Sequence, residues 1–437
     1  MSNLKLTMLG GGSLYFEYAM AEIASTPELA GSEIVLYDID DERLQLMRQV
    51  GQRIAEKTQS GISVRATLDR ADALDGADFA VASIGVHGPG HRWHKADTDA
   101  MAELGIIMTT GDTVGPSGLS QALRIMPIFV DIAQDMEKYC PDAVLLNHSN
   151  PMSAICRAVN KYTSIPAIGY CHNVAGDTRY FAKVLEVPWQ ELDVTAAGPN
   201  HCVWMLDIRH KGKDVYPELC ERLAAQEPPE RHRFQQEVLD LFGLYCIGGD
   251  RHIVEFFPHA RRATSTTDIH YGLKWRSDMI REGALAREIS DEPQDVELKA
   301  AGKKDVWVPD EPTPEAMGQQ IKSLAFGPDI VHYVNIPNNG AIPNVPDWAV
   351  VELKAKVGQN GATPVHVGEL PPQVARWSVA HFYTHELVVE AAVEGSRQKA
   401  LMALACDAMI RDFGEPRVVL DALIEAQDGR LDRFRAT

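Results

Sequence analysis

The sequence predicts an α/β protein built on a doubly wound sheet, followed by an α+β region. Three observations carry that prediction. Short apolar runs alternate with helical patterns through the first 150 residues, a glycine turn joins the first run to the first helix, and the alternation weakens after residue 150. The first run, 4–9, reads as a strand and is followed by Gly10-Gly11-Gly12-Ser13 and a helix over 16–25. A second strand, 33–38, leads into an amphipathic helix over 41–58. Further strands are expected at 62–68, 79–84 and 143–147, with a helix over 121–139 before the last of them. Segments 167–170 and 192–197 read as two more strands. From 218 to 311 the pattern is charged and mostly helical, broken at Pro228-Pro229. The Asn-, Pro- and Gly-rich stretch 326–348 reads as a long ordered loop, 373–406 as one long helical stretch, and 418–426 as a short last helix. A boundary near 175–200 divides the chain into a nucleotide domain, 1–195, and a second domain, 196–437.

Composition narrows the function. The 437 residues carry 42 basic and 61 acidic side chains, a net charge of −19 and a pI near 5.2. That balance argues against a nucleic-acid binder, whose footprint is basic, but leaves room for a small anionic ligand held by a few local cations. Hydrophobic residues at 45% and charged residues at 24% exclude disordered and collagen-like classes. Seven cysteines without a CxxC pair support neither a zinc knuckle nor a disulfide framework, and they read as reduced thiols of a cytoplasmic protein. No apolar run approaches the roughly 18 residues that span a bilayer, so no membrane role is expected.

Gly10-Gly11-Gly12-Ser13 sits where a strand hands over to a helix, a place where a pyrophosphate approaches free backbone N–H groups. The full G-x-G-x-x-G pattern fails at its last position, which is Tyr15. Asp38 closes the second strand, where a carboxylate binds the ribose hydroxyls of NAD and repels the 2′-phosphate of NADP. The order strand, turn, helix, strand and acid favours a Rossmann-type dinucleotide domain over a merely glycine-rich turn.

Other candidates cluster after strands or helix breaks. Cys171-His172-Asn173-Val174 and Gly198-Pro199-Asn200-His201 offer a thiolate and an imidazole for a divalent ion, although each alone reads as a buried thiol and a core histidine. Asp112, in the loop Gly111–Gly118, reads either as a turn residue or as a general acid. Asn147-His148-Ser149-Asn150-Pro151-Met152 ends a strand at the crevice where open sheets bind ligands. Gly248-Gly249-Asp250-Arg251-His252 concentrates an acid, a guanidinium and an imidazole, or forms a solvated turn.

Together with Asn335-Ile336-Pro337-Asn338-Asn339-Gly340, these motifs resemble glycoside hydrolase family 4, the NAD- and divalent-metal-dependent glycosidases, over nearly the whole chain. The resemblance implies a fold like that of lactate and malate dehydrogenases, with an α+β substrate domain, and assembly as a homodimer or homotetramer. It implies transient oxidation of the sugar at C3 by NAD, proton removal from C2 beside a metal, usually Mn2+, elimination of the aglycone, addition of water, and return of the hydride. By position, Cys171 and His201 match the metal ligands, and Asp112 matches the acid that assists the leaving group. Asp250 matches the base where Asp serves and Tyr245 the base where Tyr serves. Asn150 matches a contact to the substrate hydroxyls, and His172 and Asn173 lie in the segment that varies with specificity.

Asn173 fits none of the family's usual residues there, whereas the Gly111–Gly115 loop resembles the uronic-acid branch. A uronate would be met by Arg92, His94, Lys95 or Arg251, although the first three also read as a solvated basic loop. A uronic-acid glycoside, α-glucuronide or α-galacturonide, is therefore expected ahead of a sulfoquinovoside or a neutral α-glucoside or α-galactoside. Two readings outside the class are a 2-hydroxy-acid dehydrogenase and a non-catalytic NAD sensor.

Overall fold

The computed structural model describes residues 4–85, 91–257, 271, 273, 274, 276, 278–280, 282, 295–311 and 313–436. Its strands are β1 (Lys5–Leu9), β2 (Glu33–Tyr37), β3 (Ser63–Thr67), β4 (Phe79–Ala82), β5 (Val144–Asn147), β6 (Ala167–Gly169), β7 (Leu192–Gly198), β8 (Val203–His210), β9 (Lys213–Asp214), β10 (Cys246–Ile247), β11 (Ile330–Pro337), β12 (Val350–Gly358) and β13 (Gly361–Pro364). All belong to one sheet. Strands β3-β2-β1-β4-β5-β6 pair in parallel, in the doubly wound order expected of a dinucleotide domain. Beyond β6 the neighbours β11, β12, β7, β8 and β10 are antiparallel. The sheet is thus continuous across residue 195, which lies within β7.

Helices cover both faces, and the side-chain period of two feeds two cores. Val81, Leu146 and Ile168 enter one cluster, while their neighbours Ala80, Leu145 and Ala167 enter the other. The helix Asp41–Thr58 begins where the Asp40 carboxylate accepts the Arg43 N–H at 3.2 Å, and it buries Leu44, Met47, Val50 and Ile54 along one face. The helix expected over 121–139 begins earlier, at Gly115, with Pro116 in its first turn.

Two expectations are corrected. The stretch 326–348 is not all loop, because Ile330–Pro337 is β11, paired along its whole length with β12. The Asn and Pro residues at its end hid an alternation of β-branched and polar residues. The stretch 373–406 is two helices, Pro372–Glu394 and Arg397–Cys406, because Gly395 turns left-handed (φ 70) and Ser396 caps the second helix. Of the helical region 218–311, Tyr216–Ala224, Arg233–Phe242, Asp250–Ile253 and Asp295–Ala300 are helices, and part of the remainder lies outside the described residues.

One row of paired residues crosses most of the sheet: Tyr37, Leu9, Ala82, Asn147, Gly169, Asn335, Glu352 and Gly198 stand side by side on successive strands. For the parallel strands this row is their carboxyl edge. The antiparallel half is staggered along the strand direction, so that the end of β7 is level with the end of β6.

Buried histidines make the fold sensitive to acid. Burial pushes His381 down to about 3 and His385 down to about 4, both in the helix Pro372–Glu394. Their unfolded forms bind a proton near pH 6.5, so stability is full above that pH and falls as pH drops, by roughly 1.4 kcal/mol per pH unit for each. Urea denaturation should show a lower midpoint at pH 5 than at pH 7, and His385→Leu should shrink that difference. An unchanged difference would contradict the assignment.

Candidate active site

The turn after β1 is folded onto the end of β2. Gly10 and Gly11 donate their N–H groups to the Tyr37 carbonyl at 2.9 and 2.8 Å, and Gly12 N–H donates to Asp38 Oδ2 at 2.8 Å. The other Asp38 oxygen accepts from the Ile39 and Asp40 amides. A Cβ on Gly12 would stand 3.0 Å from the Asp38 carboxylate, so glycine keeps this edge open. Beside it lies a cavity of about 250 Å3, lined by Gly12, Leu14, Leu46 and Met47, by the charged Asp40, Glu42 and Arg43, and, from the helix Asp295–Ala300, by Val296 and Glu297. Ser13 meets Ser83, at the end of β4, through their hydroxyls at 2.9 Å. The expected residues Gly10, Gly11, Gly12, Ser13 and Asp38 therefore share one cradle, with a carboxylate at its rim and a cavity of mixed apolar and charged lining beside it. Such a cradle suits an adenosine diphosphate moiety.

Further along the same row, four loops converge on Asp112. Asn150 donates its side-chain N–H to Asp112 Oδ2 at 3.2 Å, and the Thr113 hydroxyl lies 2.7 Å both from Asp112 Oδ1 and from His201 Nδ1. His252 Nδ1 is 3.6 Å and His201 Nδ1 4.0 Å from Asp112 Oδ1, and the two imidazole rings are 3.9 Å apart. His201 holds a left-handed backbone (φ 69), unusual for a residue with a side chain. Burial pushes the Asp112 carboxyl up, but the imidazoles of His252 and His201 and the Thr113 hydroxyl more than offset it and hold it well below the usual range. Burial, followed by the neighbouring His252, pushes His201 well below the usual histidine value, and Asp112 opposes that shift. One carboxylate and two imidazoles offer three ligand atoms within 4.8 Å of one another, and His252 Nδ1 and Asn150 Oδ1 are buried without a hydrogen bond. That donor set fits a divalent ion of borderline softness.

Cys171 follows β6 but does not join this group of three. Burial, followed by the charge of Glu352, raises its thiol well above the usual value, although the neighbouring Asn173 amide and Asn200 side chain act to lower it. Asn200 in turn donates to buried Glu352 at 2.7 Å. His172 is exposed and lies 3.2 Å from Glu315, whose hydrogen bond raises its pKa. Asn173 donates to the Gly248 carbonyl at 3.3 Å.

Asp250 accepts the Phe234 and Gln235 amides at 2.8 and 2.9 Å, one on each oxygen, and burial raises its carboxyl to about 6. Tyr245 is buried, its hydroxyl 3.0 Å from His232 Nδ1. Neither bonds to Asp112, His201 or His252. Arg92 is exposed and 3.6 Å from Asp428, and Lys95 pairs with Asp99. His94 is buried, 2.8 Å from the Thr110 carbonyl.

Arg251 donates to the Thr109 carbonyl at 2.9 and 3.2 Å. Arg276, which sequence reasoning missed, donates to His94 at 3.2 Å and, like Arg251, feels the charge of Asp112. His252 was quoted in its motif without a role, and its place beside Arg251 was the available signal. Arg276 carries none, since nothing in its neighbourhood forms a motif.

Comparisons with known proteins identify the family. The description "Family 4 glycosyl hydrolase" matches residues 5–187, and that of the family's C-terminal domain matches 196–410. An α-galactosidase of Bacillus subtilis is 30% identical over 92% of both chains. An α-galacturonidase of Lachnoclostridium phytofermentans is 29% identical over 97% of this chain and 95% of its own. Among solved structures, a 6-phospho-α-glucosidase from gut microorganisms, in complex with NAD and Mn2+, superposes with a TM-score of 0.81 at 23% identity, covering 98% of this chain and 99% of its own. The architecture extends to malate dehydrogenase of Plasmodium falciparum, at a TM-score of 0.52 and 15% identity over 89% of this chain and 99% of that one. With both halves of the chain matched and a relative at 30% identity along nearly its full length, the protein belongs to family 4 of the glycosyl hydrolases and is a glycosidase.

Proposed function

We propose that this chain is an NAD- and divalent-metal-dependent glycosidase that acts on α-linked uronic-acid glycosides. The observation that carries the substrate class is the pair Arg251 and Arg276, two half-buried guanidiniums near Asp112. Burial and, for Arg251, the charge of Arg276 lower their pKa values, and the carboxylates of Glu255 and Asp112 offset this only in part, which leaves a residual shortage of negative charge. A uronate carboxylate would relieve that shortage through bidentate bonding, whereas a neutral sugar would not. A relative named α-galacturonidase at 29% identity points the same way.

When bound, NAD supplies hydride acceptance and donation, and a divalent ion such as Mn2+ supplies Lewis acidity. The chain's own groups bind and orient. Asp38 and the Gly10–Gly12 turn hold the dinucleotide at the carboxyl ends of β1 and β2, and Asp38 disfavours a 2′-phosphate. His201 is the shared member of the metal set, with Asp112 and His252 from the geometry and Cys171 from the family resemblance. Asn150 fixes the Asp112 carboxylate and has a second amide atom for a sugar hydroxyl. Because its carboxyl lies low, Asp112 starts ionised near pH 7, and an acid role would require it to gain a proton after substrate arrives. Asp250, near 6, has the basicity needed to remove a proton beside a ketone, but it must first release at least one backbone amide.

Substrate class is tested with 4-nitrophenyl glycosides, NAD and Mn2+ under reducing conditions. The α-galacturonide or α-glucuronide should give the highest kcat/KM, with nitrophenol release that depends on NAD and leaves no accumulated NADH. Preference for the α-galactoside or a sulfoquinovoside would overturn the uronate assignment, and stoichiometric NADH from a hydroxy acid would indicate a dehydrogenase. Asp112→Asn separates the two roles of that residue: as cation holder it should lower kcat equally for nitrophenyl and alkyl glycosides, whereas an acid role spares the nitrophenyl substrate, whose leaving group needs no proton. His201→Ala should weaken Mn2+ binding at least tenfold in a titration followed by electron paramagnetic resonance. Cys171→Ser should also weaken it, and unchanged affinity with full metal-dependent activity would remove the thiol from the set.

A further inference from the structure

We infer that Glu255 is a positioning residue that locks Asp112 and His252 into one unit, an inference that rests on the reading of Asp112, His201 and His252 as the metal-holding group. Glu255 is 1% exposed and directs its carboxylate at the loop leading into Asp112. Its Oε1 accepts the N–H groups of Thr109, Thr110 and Gly111 at 2.8, 2.9 and 3.1 Å and the Thr109 hydroxyl at 3.2 Å, while Oε2 accepts the Gly111 N–H at 3.1 Å. Three successive backbone amides on one carboxylate form an anion-binding concavity filled by the protein's own side chain. The same two segments are tied a second time. The Arg251 carbonyl accepts the Thr109 and Thr110 hydroxyls at 2.6 and 3.1 Å, and the Arg251 guanidinium returns two bonds to the Thr109 carbonyl.

His252 stands between Arg251 and Glu255, and Asp112 follows Gly111 directly. The clamp therefore joins the backbone on both sides of His252 to the backbone entering Asp112, across more than 140 residues of chain. Without it, the 3.6 Å approach of His252 to Asp112 depends on two separate turns. The acceptor has to be a full carboxylate. A glutamine has one acceptor oxygen, and its amide N–H groups would face the Gly111 N–H, donor against donor. An aspartate is one methylene shorter and loses reach.

The experiment measures Mn2+ affinity by electron paramagnetic resonance, NAD affinity by fluorescence, kcat, KM and Tm for the wild type, Glu255→Gln and Thr109→Val. Glu255→Gln should raise the Mn2+ Kd at least tenfold and lower kcat at least tenfold, with KM and the NAD Kd within twofold. Thr109→Val, which removes one hydroxyl donor and leaves the carboxylate, should move Mn2+ affinity and kcat in the same direction by a smaller factor while remaining folded. Unchanged Mn2+ affinity and kcat in both variants would overturn the clamp. So would a parallel loss of Mn2+ affinity, NAD affinity and Tm, which marks a general structural role. His252→Ala separates the two readings: if it leaves Mn2+ binding unchanged, the metal-holding reading fails, and the clamp is then judged by the loss of kcat at constant KM and NAD affinity.

Discussion

The pairing of Asn335 with Gly169 sets the geometry on which the site depends. It is the contact through which the parallel half of the sheet meets the antiparallel half, and it fixes how far one half slides against the other. A Cβ at Gly169 would come within 2.8 Å of Met152 and 2.9 Å of Asn335, so only glycine lets β11 approach. A polar network on the same row pins the stagger. Ser153 donates to Asn335, the Asn200 amide donates to Ser153, and the Asn200 side chain donates to Glu352. A shift along β11 would break these buried bonds and leave their partners unsatisfied, which is more costly than never forming them. With the stagger held, the turn carrying His201 comes level with the loops carrying Asn150 and Cys171.

On that edge the chemistry divides between two neighbouring zones. The β1–β2 end presents a glycine turn folded onto the Asp38 carboxylate and a neighbouring cavity of mixed lining, which suit a dinucleotide. The loop before the helix Gly115–Tyr139, the loop after β7 and the segment following β10 present a carboxylate and two imidazoles, which suit a cation, with Asn150 from the loop after β5 bonded to the carboxylate. Arg251 and Arg276 add positive charge on the Asp112 side of this group. A net charge of −19 spread over the whole chain therefore coexists with two half-buried guanidiniums whose burial the carboxylates of Glu255 and Asp112 offset only in part.

Much of this was legible from local patterns, where the physics is local. Gly10–Ser13 and Asp38 stand at a strand–turn–helix–strand succession whose geometry is determined within about thirty residues, and the structure brings them into one cradle. Asp112 was legible as an acid inside a glycine-rich loop that opens a helix, and His201 as an imidazole at a strand end. Asp250 and Tyr245 were placed by resemblance alone, and in the structure their polar atoms serve the helix Arg233–Phe242 and His232. Strands β8 and β12 escaped notice because half of each is buried on both faces, so neither alternates cleanly, and charged residues interrupt both.

The sequence by itself determined the parallel sheet, its dinucleotide turn and the residue types available for catalysis, because hydrophobic period, glycine and capping residues act over a few positions at a time. Only the tertiary structure decided which of those residues meet. His252 meets Asp112, and Glu255 meets the loop entering it, from more than 130 positions away, and neither meeting leaves a trace in local spacing. Cys171, thirty residues before His201, is buried beside Asn200 and Glu352 and stands outside the group of Asp112, His201 and His252, a placement set by how the strands pack and not by spacing along the chain.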